Sequence, residues 1–295
     1  MTVIERLRRY RQPLVCLDFG RDRLSALEVA DSAVTRWTAR PLADDVLRNG
    51  SPSDPSTLGA IVRDTLLAAG IKAQRAWLAL PDEATVSRQL VLPPMPRRDL
   101  VRAMHYVAEK HVPFPIDRAR WSWDVVERSR EQISVYLAAT WRDVVDQYAE
   151  VARFAGLEPE VLEPRAVAVA RALDQERAVL VDAGPRRVHV TLVVHGQPVF
   201  IDQTSAGTTP AELRDAVDRL LQRAYRHQST VTEPGSRMAP VLLAGDLELV
   251  QVQLPVAGRS VGEVLNGHLP VIPPDFQAGA YLANLGLSLR VSRWV

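Results

Sequence analysis

The chain has 295 residues, with 36 Lys and Arg against 35 Asp and Glu for a formal net charge of +1, and 47% of its residues are hydrophobic. That length supplies two compact lobes with a core each, and the near-zero balance excludes the global basic field of a nucleic-acid-binding protein. A single cysteine, Cys16, excludes an internal disulfide or a cysteine-based zinc site, and no stretch reaches the apolar length of a membrane span or a signal-peptide core. A cytoplasmic protein with no transmembrane segment and no nucleic-acid partner is therefore expected.

Residues 1–13 are basic, with Arg6, Arg8, Arg9 and Arg11 around Ile4, Leu7 and Tyr10; a solvated first turn is a simpler reading than a membrane-surface contact. Val15-Cys16-Leu17-Asp18-Phe19-Gly20 predicts a buried strand and a tight D-x-G turn. An alternating strand to about Ala30 and a third strand near Ala33–Thr38 follow. A loop rich in Pro, Ser, Asp and Gly over 41–57 leads to a helix over Leu58–Ala69, with Ser56 or Thr57 as N-cap and Gly70 as C-cap. Trp77–Leu80 reads as a short strand.

Residues 81–140 read as a separate βαββ unit. Its parts are a strand over Thr85–Leu92, a helix over Arg97–Lys110 stopped by Val112-Pro113-Phe114-Pro115, and paired strands Trp121–Val126 and Ile133–Ala139. Arg97, Arg98 and Arg102 on that helix fit a solvated face better than an anion site. A helix over Trp141–Ala155 follows, with Thr140 and Asp143 in a capping pattern. Beyond it come an extended Pro159–Leu162 and a small-residue helix, Pro164–Leu173, after Glu163.

Leu180-Val181-Asp182-Ala183-Gly184 opens a second hairpin that ends near Val194. Laid over the first at a constant offset, Asp182 falls on Asp18, Gly184 on Gly20, Val188 on Leu24 and Val190 on Ala26. Two such hairpins, a domain length apart, are the pattern of a two-lobed nucleotide clamp. Each turn can aim backbone N–H groups at a phosphate, and each Asp can hold a water on a bound Mg²⁺. The competing reading is two unrelated hairpins that share a common turn. The rest of the chain predicts a helix over Thr209–His227, a polar loop over 228–240, a short strand Val241–Leu243 running into Ala244-Gly245-Asp246, and a helix over Phe276–Leu289. The six histidines show no H-x-x-x-H or H-E-x-x-H spacing, and Cys16 has no base beside it in sequence, so metal and thiol chemistry are disfavoured.

In order, these pieces resemble the PilM family, actin-like proteins of type IV pilus assembly related to the cell-division protein FtsA. The resemblance is carried by Val15–Gly20, Val46–Asp54, the stretch LALPDEATVSRQLVLPPMP, Ala108–Pro115 (AEKHVPFP), Leu137–Ala139 with the helix to Pro159, Leu180–Val199, and Ala283–Arg290 (ANLGLSLR). It implies an α/β, actin-like (duplicated ribonuclease-H-like) two-lobed fold with a small α+β insertion in lobe one and a reduced second lobe. The expected divisions are 1–80 and 140–176 for the first lobe, 81–139 for the insertion and 177–295 for the second lobe. The resemblance also implies a cytoplasmic scaffold, peripheral at the inner membrane, that docks the short N-terminal peptide of a PilN-like partner and works with other pilus assembly proteins. Phe114, Trp121 and Trp123 are candidate apolar anchors for that peptide, with a core role as the competing reading.

Many members of the family bind ATP between the lobes. Carried over, Asp18, Gly20 and Arg21 form the first phosphate turn, Asp182 and Gly184 the second, and Gly245 lies under the adenosine. Asp18 and Asp182 face Mg²⁺, and Glu163 takes the place of a carboxylate that positions water, unless it merely favours the start of the helix behind it. Three departures argue for a degenerate site. Asp22 sets a negative charge beside phosphate and Pro185 lacks an N–H, although arginines in both turns bind anions well. Ala244-Gly245-Asp246 keeps only one glycine of a Gly-rich loop. Between Gly207 and Val241 there is room for only one helix and a loop, so part of the pocket wall is missing. The expectation is a docking scaffold that requires no cofactor and is at most a weak ATPase. The alternatives are an ATP- and Mg²⁺-driven switch in the same machinery, or a component of a type II secretion or competence system. The secretion reading is disfavoured because such proteins continue into a membrane helix and this chain ends at Val295.

Overall fold

The computed structural model describes residues 12–20, 22–184, 186–207, 209–232, 236–245, 258–265 and 269–290. The first lobe opens with strands β1 (Leu14–Phe19), β2 (Arg23–Ala30) and β3 (Ala33–Pro41). A two-residue hairpin, β4 (Leu47–Arg48) and β5 (Ser51–Pro52), lies in the stretch predicted as loop. Helix α1 (Pro55–Ala68) starts on Asp54 rather than on Ser56 or Thr57: the Asp54 carboxylate accepts the N–H groups of both. Pro55 settles the choice, since its missing N–H and fixed φ suit the first helical position. Strand β6 (Arg75–Leu80) follows.

The insertion contains β7 (Thr85–Leu92), α2 (Arg97–His111), β8 (Ala119–Arg128) and β9 (Ile133–Trp141), with strand order β7-β9-β8. Leu100, Met104 and Ala108, four residues apart on α2, are buried against Ile133, Val135, Leu137 and Ala139 of β9. The chain returns through α3 (Arg142–Phe154), β10 (Glu158–Pro164) and α4 (Arg165–Leu173). The expected cap of α3 does not form. The Thr140 hydroxyl donates to the Ala84 carbonyl at 2.6 Å, Asp143 pairs with Arg118, and no side chain caps the helix. Thr140 is spent on fastening the insertion to the turn it leaves by.

The second lobe has β11 (Arg177–Ala183), β12 (Arg187–Val194), β13 (Gln197–Ser205), α5 (Pro210–Val231), β14 (Val241–Gly245) and β15 (Gly258–Ser260). Helix α5 carries a capping box between Thr209 and Glu212. The expected C-terminal helix is shorter than Phe276–Leu289. Ala278–Tyr281 form a 3-10 turn ahead of α6 (Leu282–Ser288), and Phe276 instead packs its ring against Trp37 and Tyr281.

The two five-stranded sheets have one topology. Their orders are β3-β2-β1-β6-β10 and β13-β12-β11-β14-β15, with the first two pairings antiparallel and the other two parallel in each. Asp18 stands opposite Ser25, and Asp182 opposite His189, so the sequence repeat is a repeat of the fold in the same register. On the outer faces, Val15, Leu17 and Phe19 pack with α1 and α3, and Val179, Val181 and Val190 pack with α5. Between the sheets, Cys16, Trp77 and Ala79 of lobe one and Leu180 and Leu242 of lobe two share a core with α4 and α6. The two lobes are thus joined through this sandwiched pair of helices. Burial pushes the Cys16 thiol far above its ordinary range, which leaves it inert.

Candidate functional site: an interlobe cleft holding its own cation

The ends of β1 and β11 and the turn after β6 meet at one cleft of about 1130 Å³ between the lobes. Asp18, Gly20, Asp182, Gly184 and Gly245, which the sequence pointed to separately, all line it. Arg21, Pro185 and Asp246 lie outside the described residues, as do residues 1–11.

The centre of the cleft is a residue that no sequence pattern signalled. Arg165, the first residue of α4, places Nη2 at 2.7 Å from Asp182, Nε at 3.3 Å from Asp18, and Nη1 at 3.9 Å from Asp82. Its side chain is 11% exposed, and those of Asp18 and Asp82 are 6% and 5%. One guanidinium therefore serves three carboxylates in a desolvated place, where charge-assisted hydrogen bonds are strong. Burial works against the charge on Arg165, but Asp18, Asp182 and Asp82 overcome it and raise its pKa. Burial likewise pushes against the Asp182 carboxylate, and Arg165, then His189, hold its pKa below the ordinary aspartate value. Burial, then the neighbouring Arg165, lower the pKa of His189.

Asp82 is the odd member of this cluster. Its Oδ1 accepts the Ala166 N–H at 3.1 Å, yet burial pushes its pKa up to about 6 against the opposing pull of Arg165 and that N–H. A pKa raised on folding means that Asp82 gains protons on folding, so its contribution to stability is present in acid and is lost as pH rises through about 6. Asn at this position keeps the acceptor for Ala166. Asp82→Asn is expected to stabilise the protein at neutral pH by about 1–3 kcal/mol and to flatten the loss of stability between about pH 4 and 6, read from thermal melts.

The described residues of the surrounding turns make contacts within the chain. The Gly184 N–H already donates to the Arg187 carbonyl at 2.8 Å. A Cβ on Gly184 would sit 3.2 Å from the Asp22 carboxylate, so Asp22 of lobe one faces the second turn directly. Arg186 is drawn to the rim, on Asp44 at 2.6 Å and on the Leu42 carbonyl at 3.0 Å. Gly245 has a structural duty: its φ is +88°, and a Cβ there would lie 2.2 Å from the Ala183 carbonyl oxygen and 2.8 Å from Asp182.

Glu163 is absent from the cleft lining. It is buried beneath α4 and α6, bidentate to Arg171 at 2.6 and 3.0 Å and bonded to Arg290 at 3.1 Å. Both of its carboxylate oxygens are thus engaged by arginines away from the cleft lining. In the insertion, Phe114 stacks on Trp141 at 4.4 Å with Arg118 over the same indole, while Trp121 meets His105 at 6.0 Å. Phe114, Trp121 and Trp123 are all half-buried against the insertion core rather than standing free.

A match to the family described as Type IV pilus assembly protein PilM spans residues 17–203, well over half of the chain. The chain belongs to the PilM family. It is a type IV pilus assembly protein with an actin-like fold. No curated protein matches its sequence. Among solved structures, the "PilM-PilN type IV pilus biogenesis complex" is 20% identical with a TM-score of 0.72, over 94% of this chain and 97% of that one. The cytoplasmic domain of EpsL, an inner membrane component of the type II secretion system of Vibrio cholerae, is 12% identical with a TM-score of 0.57, over 96% and 97%. At those identities the likeness is one of fold. Within the described residues of this PilM family chain, no helix is long and apolar enough to cross a membrane.

Proposed function

We propose that this PilM family protein is a cytoplasmic scaffold, peripheral at the inner membrane, that docks the cytoplasmic N-terminal peptide of a PilN-like membrane protein without using nucleotide. The observation that carries this reading is Arg165 on Asp18 and Asp182, the two carboxylates that face Mg²⁺ if the family's nucleotide site is carried over. A triphosphate brought to that place meets Asp22, Asp82 and Glu83 in the same cleft, and its Mg²⁺ has to displace a buried guanidinium. The PilM-PilN complex supports the choice of partner. The insertion offers an outer strand, β8, to which an extended peptide can add, with Trp121 and Trp123 on its apolar face beneath.

The test is fluorescence anisotropy with a labelled peptide of the cognate partner's cytoplasmic N-terminus. Saturable binding is expected, with the same Kd in the presence and absence of millimolar MgATP, and Trp123→Ala is expected to weaken it about tenfold, the effect of losing one apolar anchor. Affinity that changes severalfold with MgATP supports the other reading, a nucleotide-driven switch. That reading is favoured by one observation, the gathering of both D-x-G turns at one cleft.

A further inference from the structure

We propose that Arg165 is a latch between the lobes, so that their closure is held by the chain's own guanidinium instead of an exchangeable ligand. The inference rests on the reading of the cleft as a degenerate nucleotide site.

The geometry is that of a clasp. Asp18 comes from the end of β1 and Asp82 from the 3-10 turn just after β6, both on the side of lobe one, and Asp182 comes from the end of β11 in lobe two. Arg165 joins them from the first position of α4, the helix that lies between the two sheets. Opening the lobes pulls Asp182 away from the shortest of the three contacts and leaves buried charges without their partner, which is far costlier than parting a solvated pair. Two further links across the cleft are more exposed or carry less charge. Arg186 and Asp44 are 44% and 83% exposed, and Arg23 donates to the backbone carbonyl of Ala280.

The clasp is also short of donors. Asp18 Oδ1, Asp22 Oδ2 and Asp82 Oδ2 are buried with no hydrogen-bond partner among the described residues, as is Nδ1 of His189. Glu83 faces the same seam from the 3-10 turn Asp82–Ala84 and is bonded by Gln203 of β13. Arg23 and Arg187 line the same cleft, but Arg165 is the guanidinium set on Asp18, Asp82 and Asp182 together, so its loss leaves those buried carboxylates facing one another across the cleft and the lobes are expected to part.

The experiment is electron–electron distance measurement on the full chain, with spin labels on Arg63→Cys in α1 and Arg226→Cys in α5. Both sites are exposed and lie on the outer helices of the two lobes, and Cys16 is buried away from the label. In nucleotide-free buffer the parent chain is expected to give one narrow distribution, and Arg165→Met a longer or broader one. Identical distributions overturn the latch. If Arg165→Met does not fold, Asp182→Asn decides: it keeps the shape and removes the charge from the shortest contact. A widened distribution is expected for Asp182→Asn, and an unchanged one overturns the proposal. Nucleotide binding is scored separately by calorimetry on the parent chain. Tight MgATP binding with the narrow distribution retained sinks the degenerate-site reading, whereas an unchanged distribution in the variants sinks the latch.

Discussion

Replacing Gly286 by alanine is expected to lower stability by about 3–5 kcal/mol, more than most single substitutions. Gly286 lies on α6 where it crosses α4, and the two helices touch backbone to backbone. A Cβ there would sit 1.7 Å from the Ala168 carbonyl oxygen and 2.4 Å from its carbon. Both are main-chain atoms, so no side-chain rotation relieves the clash. One helix has to lift off the other, which opens the core that α4 and α6 share with both sheets. The neighbouring Arg171, which donates to the Gly286 carbonyl at 2.8 Å, loses its register as well. Chemical denaturation of Gly286→Ala checks this against Gly262→Ala, which meets only the Ser260 hydroxyl at 3.7 Å and is expected to change stability by less than about 0.5 kcal/mol.

The second large effect is at Glu163. Its carboxylate is 5% exposed and lies between Arg171 and Arg290, both within hydrogen-bonding distance. Glu163→Ala leaves two guanidinium groups facing one another over a cavity. Removing one partner of a buried ion pair costs about 3–5 kcal/mol, and Arg171, which is partly exposed, recovers some hydration, so a loss near 3 kcal/mol is expected. In a chain of this size that corresponds to a drop of roughly 5 °C in Tm. Glu163→Gln retains the acceptor oxygen and is expected to fall between the two.

The paired hairpins were legible because a D-x-G turn and period-two alternation are local signals, and the constant offset between copies survives as an identical strand register. The insertion was legible for the same reason. The buried spacing on α2 and the Pro-flanked phrase at its end leave one reading, and Val112 does take extended geometry there. Three things were less visible. At Asp54-Pro55-Ser56-Thr57 all three polar residues can cap a helix, and only the proline between them says which one does. Glu163 sits at the end of a strand just before a helix, which is how a catalytic carboxylate reads as well as a structural one; its partner Arg290 is far away in the chain. Arg165 had no signal at all. Its three carboxylates come from two strand ends and a 3-10 turn far apart in the chain, and a lone arginine at a helix start resembles ordinary solvated charge until the fold brings them together.

The central claim is that this cleft holds its own cation and works without nucleotide. Isothermal titration of the intact protein with ATP and Mg²⁺ tests it most directly. The account predicts no saturable heat up to millimolar ligand. Saturable binding at micromolar ATP that is abolished by Asp182→Asn would contradict it, because Arg165 would then have to leave the carboxylate it holds at 2.7 Å whenever nucleotide enters.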